Sequence, residues 1–217
     1  MYKTKPFFKI FIATFTVWGI GLSDVVEASE LSYDYIDGGY YSQYYKGTYT
    51  DKNFQGVVLK GSKSLNDTIF LTGSYSYIEE EWSDPGEQEQ QEETLYTVGL
   101  GGHISLNANI DGVLKINYNY WNRDWKRRSP TISNKKYTDD FFTADLGARH
   151  LVTPETEVNG GLEFIRGGSL NTESELFYLG IMREVSDVSS VGATYKSFIF
   201  PLDDDYWNAN LVLRVEY

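Results

Sequence analysis

The last twelve residues, Tyr206-Trp207-Asn208-Ala209-Asn210-Leu211-Val212-Leu213-Arg214-Val215-Glu216-Tyr217, alternate in character along their whole length. Trp207, Ala209, Leu211, Leu213, Val215 and Tyr217 form one face, and Asn208, Asn210, Arg214 and Glu216 dominate the other, with Val212 the single apolar exception. Residues two apart on a strand share a face, so one side of this segment seeks an apolar medium and the other seeks water or charge. A soluble sheet meets that demand with a core beneath it. A closed sheet in a bilayer meets it with lipid around it.

Working back from this strand, the same period recurs in ten segments: Leu31–Tyr44, Phe54–Ser64, Thr68–Glu79, Thr94–Leu106, Ala108–Trp121, Asp139–Val152, Thr156–Arg166, Ser174–Val185, Val188–Phe200 and Tyr206–Tyr217. No helical periodicity of comparable quality competes with them. In the fifth, Ala108, Ile110, Leu114, Ile116, Tyr118 and Tyr120 oppose Asn109, Asp111, Lys115, Asn117 and Asn119. The first segment is the least regular, because tyrosines fall on both of its faces. Each segment is long enough to cross a bilayer, since a tilted strand needs about 9 to 11 residues.

The connections alternate in length. Leu65-Asn66-Asp67, Asn107, Thr153-Pro154-Glu155 and Ser186-Asp187 are tight, whereas Tyr45–Asn53, Glu80–Glu93, Asn122–Thr138, Gly167–Glu173 and Pro201–Asp205 are mostly longer and charged. Short turns at one end, long loops at the other and an even strand count predict an all-β, antiparallel up-and-down transmembrane barrel with both termini on the short-turn side. An eight-strand barrel, with the first two segments paired differently, is the alternative.

Composition and the N-terminus agree with export. Lys3, Lys5 and Lys9 precede or edge an apolar run from Phe7 to Leu22, and Val26 and Ala28 have the spacing of a small-residue cleavage site. Residues 1–28 therefore read as a signal peptide and 29–217 as the barrel domain. The run falls short of the roughly 20 apolar residues of a spanning helix. The 217 residues include no cysteine, so the chain is not a disulfide-stapled secreted domain. Eighteen tyrosines suit membrane interfaces, and a net charge of −12 disfavours nucleic acid as a partner.

The signal peptide, the alternating strands rich in Gly and Tyr, the asymmetry of turns and loops, and the final Asn210–Tyr217 resemble the small outer-membrane β-barrel proteins of Gram-negative bacteria, the OmpA/OmpX-like class. The resemblance covers nearly all of the chain after Ala28. It implies residence in the outer membrane and insertion by the barrel-assembly machinery, which would read Leu211, Leu213, Val215 and Tyr217 as its signal.

Closure follows from physics alone, because an open sheet edge in hydrocarbon leaves backbone groups unsatisfied at several kcal/mol each. It also makes every inward face part of a confined polar interior. The charges expected inside are Lys60, Asp111, Lys115, Asp145, Arg149, Glu163, Lys196 and Arg214, together with His103. Both signs are present, so these groups either seal the lumen as ion pairs or line a narrow path for ions or small polar solutes.

Outside, Glu79–Glu81 and Glu87–Glu93 sit beside a basic stretch holding Arg123, Lys126, Arg127 and Arg128. Solvated pairing across the rim is one reading. The other is that the basic residues, flanked by Trp121 and Trp125, contact lipopolysaccharide phosphates. Trp82 and Trp207 fit the outer interface belt. The two histidines, His103 and His150, fall beside tight turns at the periplasmic end, which leaves the outer rim without a histidine base. No metal spacing, nucleophile motif or phosphate loop is found, so the expectation is a monomeric structural or interaction protein with no catalytic residues, metal or cofactor.

Overall fold

The computed structural model describes residues 31–46, 51–84, 87–128, 132–168, 174–199 and 206–217. The expected signal peptide and the tips of the longer connections, including Asp203–Asp205, lie outside them. Within them the chain forms β1 (Tyr35–Tyr45), β2 (Lys52–Ser64), β3 (Ile69–Asp84), β4 (Glu87–Asn107), β5 (Ile110–Arg128), β6 (Ile132–Thr153), β7 (Thr156–Arg166), β8 (Ser174–Ser186), β9 (Ser189–Phe198) and β10 (Tyr206–Glu216). Every strand pairs antiparallel with its sequence neighbour, and β1 pairs with β10 from Tyr35↔Glu216 to Tyr45↔Tyr206. The barrel is therefore closed with ten strands, and the eight-strand alternative falls.

Local chemistry explains the tight turns. Asn66 Oδ1 accepts the backbone N–H of Thr68 at 2.9 Å and of Ile69 at 2.8 Å, and Asn107 Oδ1 accepts the N–H of Asn109 at 2.9 Å. Such side-chain caps replace the backbone bonds that a reversing chain loses. Three strands end at this side with a register shift, at Ser105/Asn107, Leu151/Thr153 and Glu184/Ser186. A single extra residue there steepens the twist just before the chain reverses. At the opposite end Gly167 and Gly168 take φ of +91° and +89°, a conformation that favours glycine, as the chain leaves β7.

The outer face is apolar. Val57, Leu59, Val98, Leu100, Ile116, Leu179, Ile181, Leu211 and Leu213 are all more than half exposed, as a soluble domain of this size would not tolerate over so wide a band. Toward the long-connection end an aromatic girdle wraps the exterior: Tyr44 stacks on Trp207 at 5.8 Å, Tyr75 meets Tyr96 at 5.3 Å, and Tyr118 meets Phe142 at 5.6 Å. Phe177 and Tyr195 extend it at 6.0 Å. Amphipathic rings collect where hydrocarbon gives way to headgroups, which places the interface at this height.

Two sequence expectations are corrected. The charged stretches Glu80–Glu93 and Asn122–Thr138 are not chiefly loops: β3 and β4 stay paired out to Asp84↔Glu87, and β5 and β6 out to Arg128↔Ile132. Alternation of charged and aromatic residues sustains a strand in water as well as in lipid, and a pattern sought for its apolar face stops too early. β7 first meets β6 at Phe142↔Arg166, so residues 132–141 of β6 have a ladder partner on one side only among the described residues. At about 3.4 Å per residue that free stretch rises roughly 30 Å. Lys135 and Lys136 sit on it, where charge discourages another strand from adding.

The second correction concerns the start. Leu31–Asp34 does not belong to β1; Asp34 stays at the rim, its carbonyl accepting the Tyr217 N–H at 3.3 Å, and the three residues before it enter the bore, with Leu31 and Tyr33 buried beside Phe70 and Val113. The tyrosines on both faces of the first segment then have separate reasons. Tyr40 faces lipid, while Tyr33 and Tyr41 pack inside.

Inward glycines set how closely the wall approaches itself. A Cβ on Gly39 would lie 1.9 Å from the carbonyl oxygen of Leu211, across the β1–β10 seam. One on Gly101 would enter the Phe70 ring at 2.1 Å.

Candidate functional site in the barrel lumen

Strand parity sends residues 37, 41 and 43 of β1, and the matching positions of each other strand, into the bore, and cross-strand register then decides which charges meet. In one row Lys115 of β5 faces Asp145 of β6, which faces Glu163 of β7. In another, Lys60 of β2 and Arg214 of β10 flank Asp37 of β1. Opposite charges placed side by side on adjacent strands are the sheet's own means of pairing.

The contacts are close; the arginine pairs are largely buried, while the Lys115 and Lys196 side chains keep 32% and 25% exposure. Lys196 Nζ lies 2.6 Å from Glu163 Oε2, and Lys115 Nζ lies 3.4 Å from Asp145 Oδ2, which also accepts from Asn117 Nδ2 at 3.0 Å. Arg149 binds Glu157 through both Nε and Nη2, at 2.8 and 2.7 Å. Arg214 binds Asp37 through Nε and Nη2 at 2.8 and 3.1 Å, stacks its guanidinium 3.8 Å from the Tyr35 ring, and holds Nη1 3.7 Å from Glu157. Forked contacts of this kind fix geometry as well as charge. The inner wall thus carries five cations, Lys60, Lys115, Arg149, Lys196 and Arg214, and five anions, Asp37, Asp111, Asp145, Glu157 and Glu163; all of these cations but Lys60 pair with a carboxylate.

Below this tier, at the short-turn end, His103 Nδ1 lies 3.4 Å from Asp111 Oδ2, which accepts the Tyr33 hydroxyl at 2.9 Å. Above it lies a layer of aromatic and amide groups. Tyr41 donates to Gln43 at 2.9 Å, Asn208 donates to the Tyr206 hydroxyl at 2.5 Å, and Tyr45 packs on Tyr206 at 4.9 Å.

Each residue expected inside is thus placed on the inner wall. Asp37 and Glu157 were missed, although both are inner anchors of the arginines. Glu157 shares the parity of Glu163 and was discoverable from it. Asp37 was hidden by the irregular tyrosines around it. His150 turns outward at the short-turn end.

The expected extracellular basic cluster does not form one patch. Arg123 and Arg127 turn inward, to Glu93 at 2.8 Å and Glu89 at 3.2 Å. Trp121 and Trp125 turn inward with them, donating to the same glutamates at 3.1 and 3.2 Å. Lys126 points outward to Glu92, whose hydrogen bond raises the lysine above its ordinary range, and the side chain of Arg128 lies outside the described residues, as does that of Trp82. Lys136, also outward, pairs with Asp124 at 3.2 Å while 79% exposed. Nearby, burial pushes the Glu80 carboxyl upward.

Solved structures share this architecture. The β domain of the Bordetella autotransporter Brka superposes with a TM-score of 0.54 at 7% identity, covering 86% of this chain and 100% of that one. The translocator domain of the autotransporter NalP from Neisseria meningitidis gives 0.51 at 10% identity, with 97% and 96% covered. The fold is that of an outer-membrane β-barrel. The transport unit of the autotransporter AIDA-I from Escherichia coli gives 0.50 at 12% identity, over 99% of this chain and 100% of that one. No family model and no curated protein matches the sequence. The apolar exterior and the closed ladder of this barrel satisfy, strand by strand, what a bilayer requires of a spanning sheet.

Proposed function

We propose that the chain is a sealed, non-catalytic scaffold in the outer membrane of a Gram-negative cell, with its contacts made by the tall extracellular part of β3–β6. The observation that carries this reading is the set of ion pairs lining the bore, in which Lys115, Arg149, Lys196 and Arg214 each meet a carboxylate. A charge in a confined, partly desolvated interior is costly unless paired, and here the arginines and carboxylates spend their hydrogen bonds on each other. Refolded protein in a planar bilayer is expected to stay electrically silent. Steady, reproducible steps from the wild-type chain would instead make it a small passive channel, with the same charges as its selectivity lining.

The extracellular reading has its own support. Exposed ion pairs contribute at most about 1 kcal/mol, so Lys126 and Lys136 can exchange their carboxylate partners for lipopolysaccharide phosphates at little cost. Arg123 and Arg127, turned inward, are held away from them. A Lys126→Gln, Lys136→Gln double variant should retain lipopolysaccharide several-fold less well at low salt, with a flatter salt dependence, whereas Arg123→Gln should not. Equal retention by all three proteins would remove lipopolysaccharide from the proposal. The final strand, with Leu211, Leu213, Val215 and Tyr217 on its outer face, serves in this reading as the signal for the assembly machinery.

A further inference from the structure

Tyr33 lies only two residues before β1, whose ladder neighbours are β2 and β10, yet its side chain reaches none of them. It crosses to the far wall. Its ring stacks on His103 of β4 at 4.1 Å and on Phe70 of β3 at 4.7 Å, its hydroxyl donates to Asp111 of β5 at 2.9 Å, and the Arg149 guanidinium of β6 lies 4.5 Å from its centre. In a ten-strand barrel β6 stands opposite β1, so the segment spans the bore.

The backbone is fastened as well. Arg149 Nη1 donates to the carbonyl of Ser32 at 2.8 Å, and Leu31 is buried against Leu151 and its neighbours. At the rim, Lys63 Nζ and the Ser64 N–H each reach the Asp34 carboxylate at 2.5 Å, and these partners, Lys63 foremost, hold that carboxyl down at about 2. The Asp34 contacts, with the Tyr217 N–H donating to its carbonyl at 3.3 Å, are those of a strand start on its two neighbours; those of Leu31, Ser32 and Tyr33 are not. A strand start that merely continued the wall would touch only adjacent strands.

We propose that residues 31–33, leaving the wall at Asp34, form an internal lid over the periplasmic end of the lumen, seated by Tyr33 and held by Asp111 and Arg149, and that the chamber beneath the ion-pair tier opens to the periplasm when the lid leaves. The lid is an autoinhibitory contact: the chain occupies its own lower chamber. This rests on the sealed-scaffold reading, since the tier above is what keeps an opened chamber from becoming a pore.

The chain has no cysteine, so a single introduced thiol reports access cleanly. Val113→Cys places one under the lid, and Asn210→Cys places one in the upper lumen. With a membrane-impermeant maleimide and barrels shown to be folded by heat-shift electrophoresis, Tyr33→Ser should speed labelling at 113 by about tenfold or more, the scale set by losing a hydrogen bond to a charged group. Tyr33→Phe, which keeps the ring, should give a smaller rise. Labelling at 210 should not change. Unaltered labelling at 113, or an equal rise at both positions, would overturn the lid. Conductance separates this from the parent reading: a silent Tyr33→Ser barrel with fast labelling supports both, while wild-type channel steps would sink the sealed scaffold and leave the labelling result to judge the lid.

Discussion

Arg214→Ala is expected to cost the folded barrel about 3 to 5 kcal/mol, because the substitution leaves the Asp37 carboxylate buried and without its forked partner. Asp37 and Arg214 are 4% and 6% exposed, so water cannot take the place of the guanidinium. The pair also ties β1 to β10, and the Tyr35 ring loses the cation above it. Urea unfolding of the refolded protein in vesicles measures the loss. If desolvation of the stranded carboxylate is the cause, combining Arg214→Met with Asp37→Leu should recover most of it, since an apolar pair of similar volume removes the unpaired charge. An alanine variant within about 0.5 kcal/mol of wild type, the ordinary spread for surface changes, would show that the pair is hydrated and that the tier does not seal.

The second large effect is expected at the seam. Gly39→Val puts a branched side chain where the Leu211 carbonyl stands 1.9 Å from the first added carbon, and backbone, unlike a side-chain tip, cannot swing aside. Overpacking ordinarily costs about 1 to 3 kcal/mol, and occasionally more; a clash with ladder backbone belongs at the upper end. The variant should insert yet fail to give the compact heat-modifiable band, because β1 cannot close on β10. Removing Tyr217 provides the contrast. Its ring faces the exterior with Lys63 Nζ 4.9 Å from its centre, and its hydroxyl and N–H donate to the Ser62 and Asp34 carbonyls, both at 3.3 Å, so its loss should slow insertion and cost the finished barrel only these rim contacts. A normally closed Gly39→Val barrel would mean that the seam tolerates a wider spacing than the structure gives, and unslowed insertion without Tyr217 would remove it from the assembly signal.

The membrane-crossing part of this fold was legible because lipid imposes a single rule on every outward position. Ile116 against Asn117, or Leu213 against Arg214, declares both strand and face. Strand ends were less legible where the chain leaves the membrane. Beyond Tyr120 the alternation runs between tryptophan, arginine and glutamate on one side and other charges on the other, and both sides read as loop. The inner charges could be assigned by parity, but partners could not, since register across β1 depends on Asp37, which the surrounding tyrosines obscured. Nothing local in Leu31-Ser32-Tyr33 announces that it turns into the bore; its reason lies in Asp111 and Arg149, 78 and 117 residues away from their contacts.

The unequal heights of the strands give the molecule a front and a back. A neighbour drifting in the same leaflet meets a low rim of short strands from one azimuth and, from another, a standing screen of β3–β6 with acid and base on both sides. Lateral encounters are therefore not equivalent around the barrel axis. A cell surface crowded with copies would acquire preferred headings between them, set by which side of the screen each neighbour approaches.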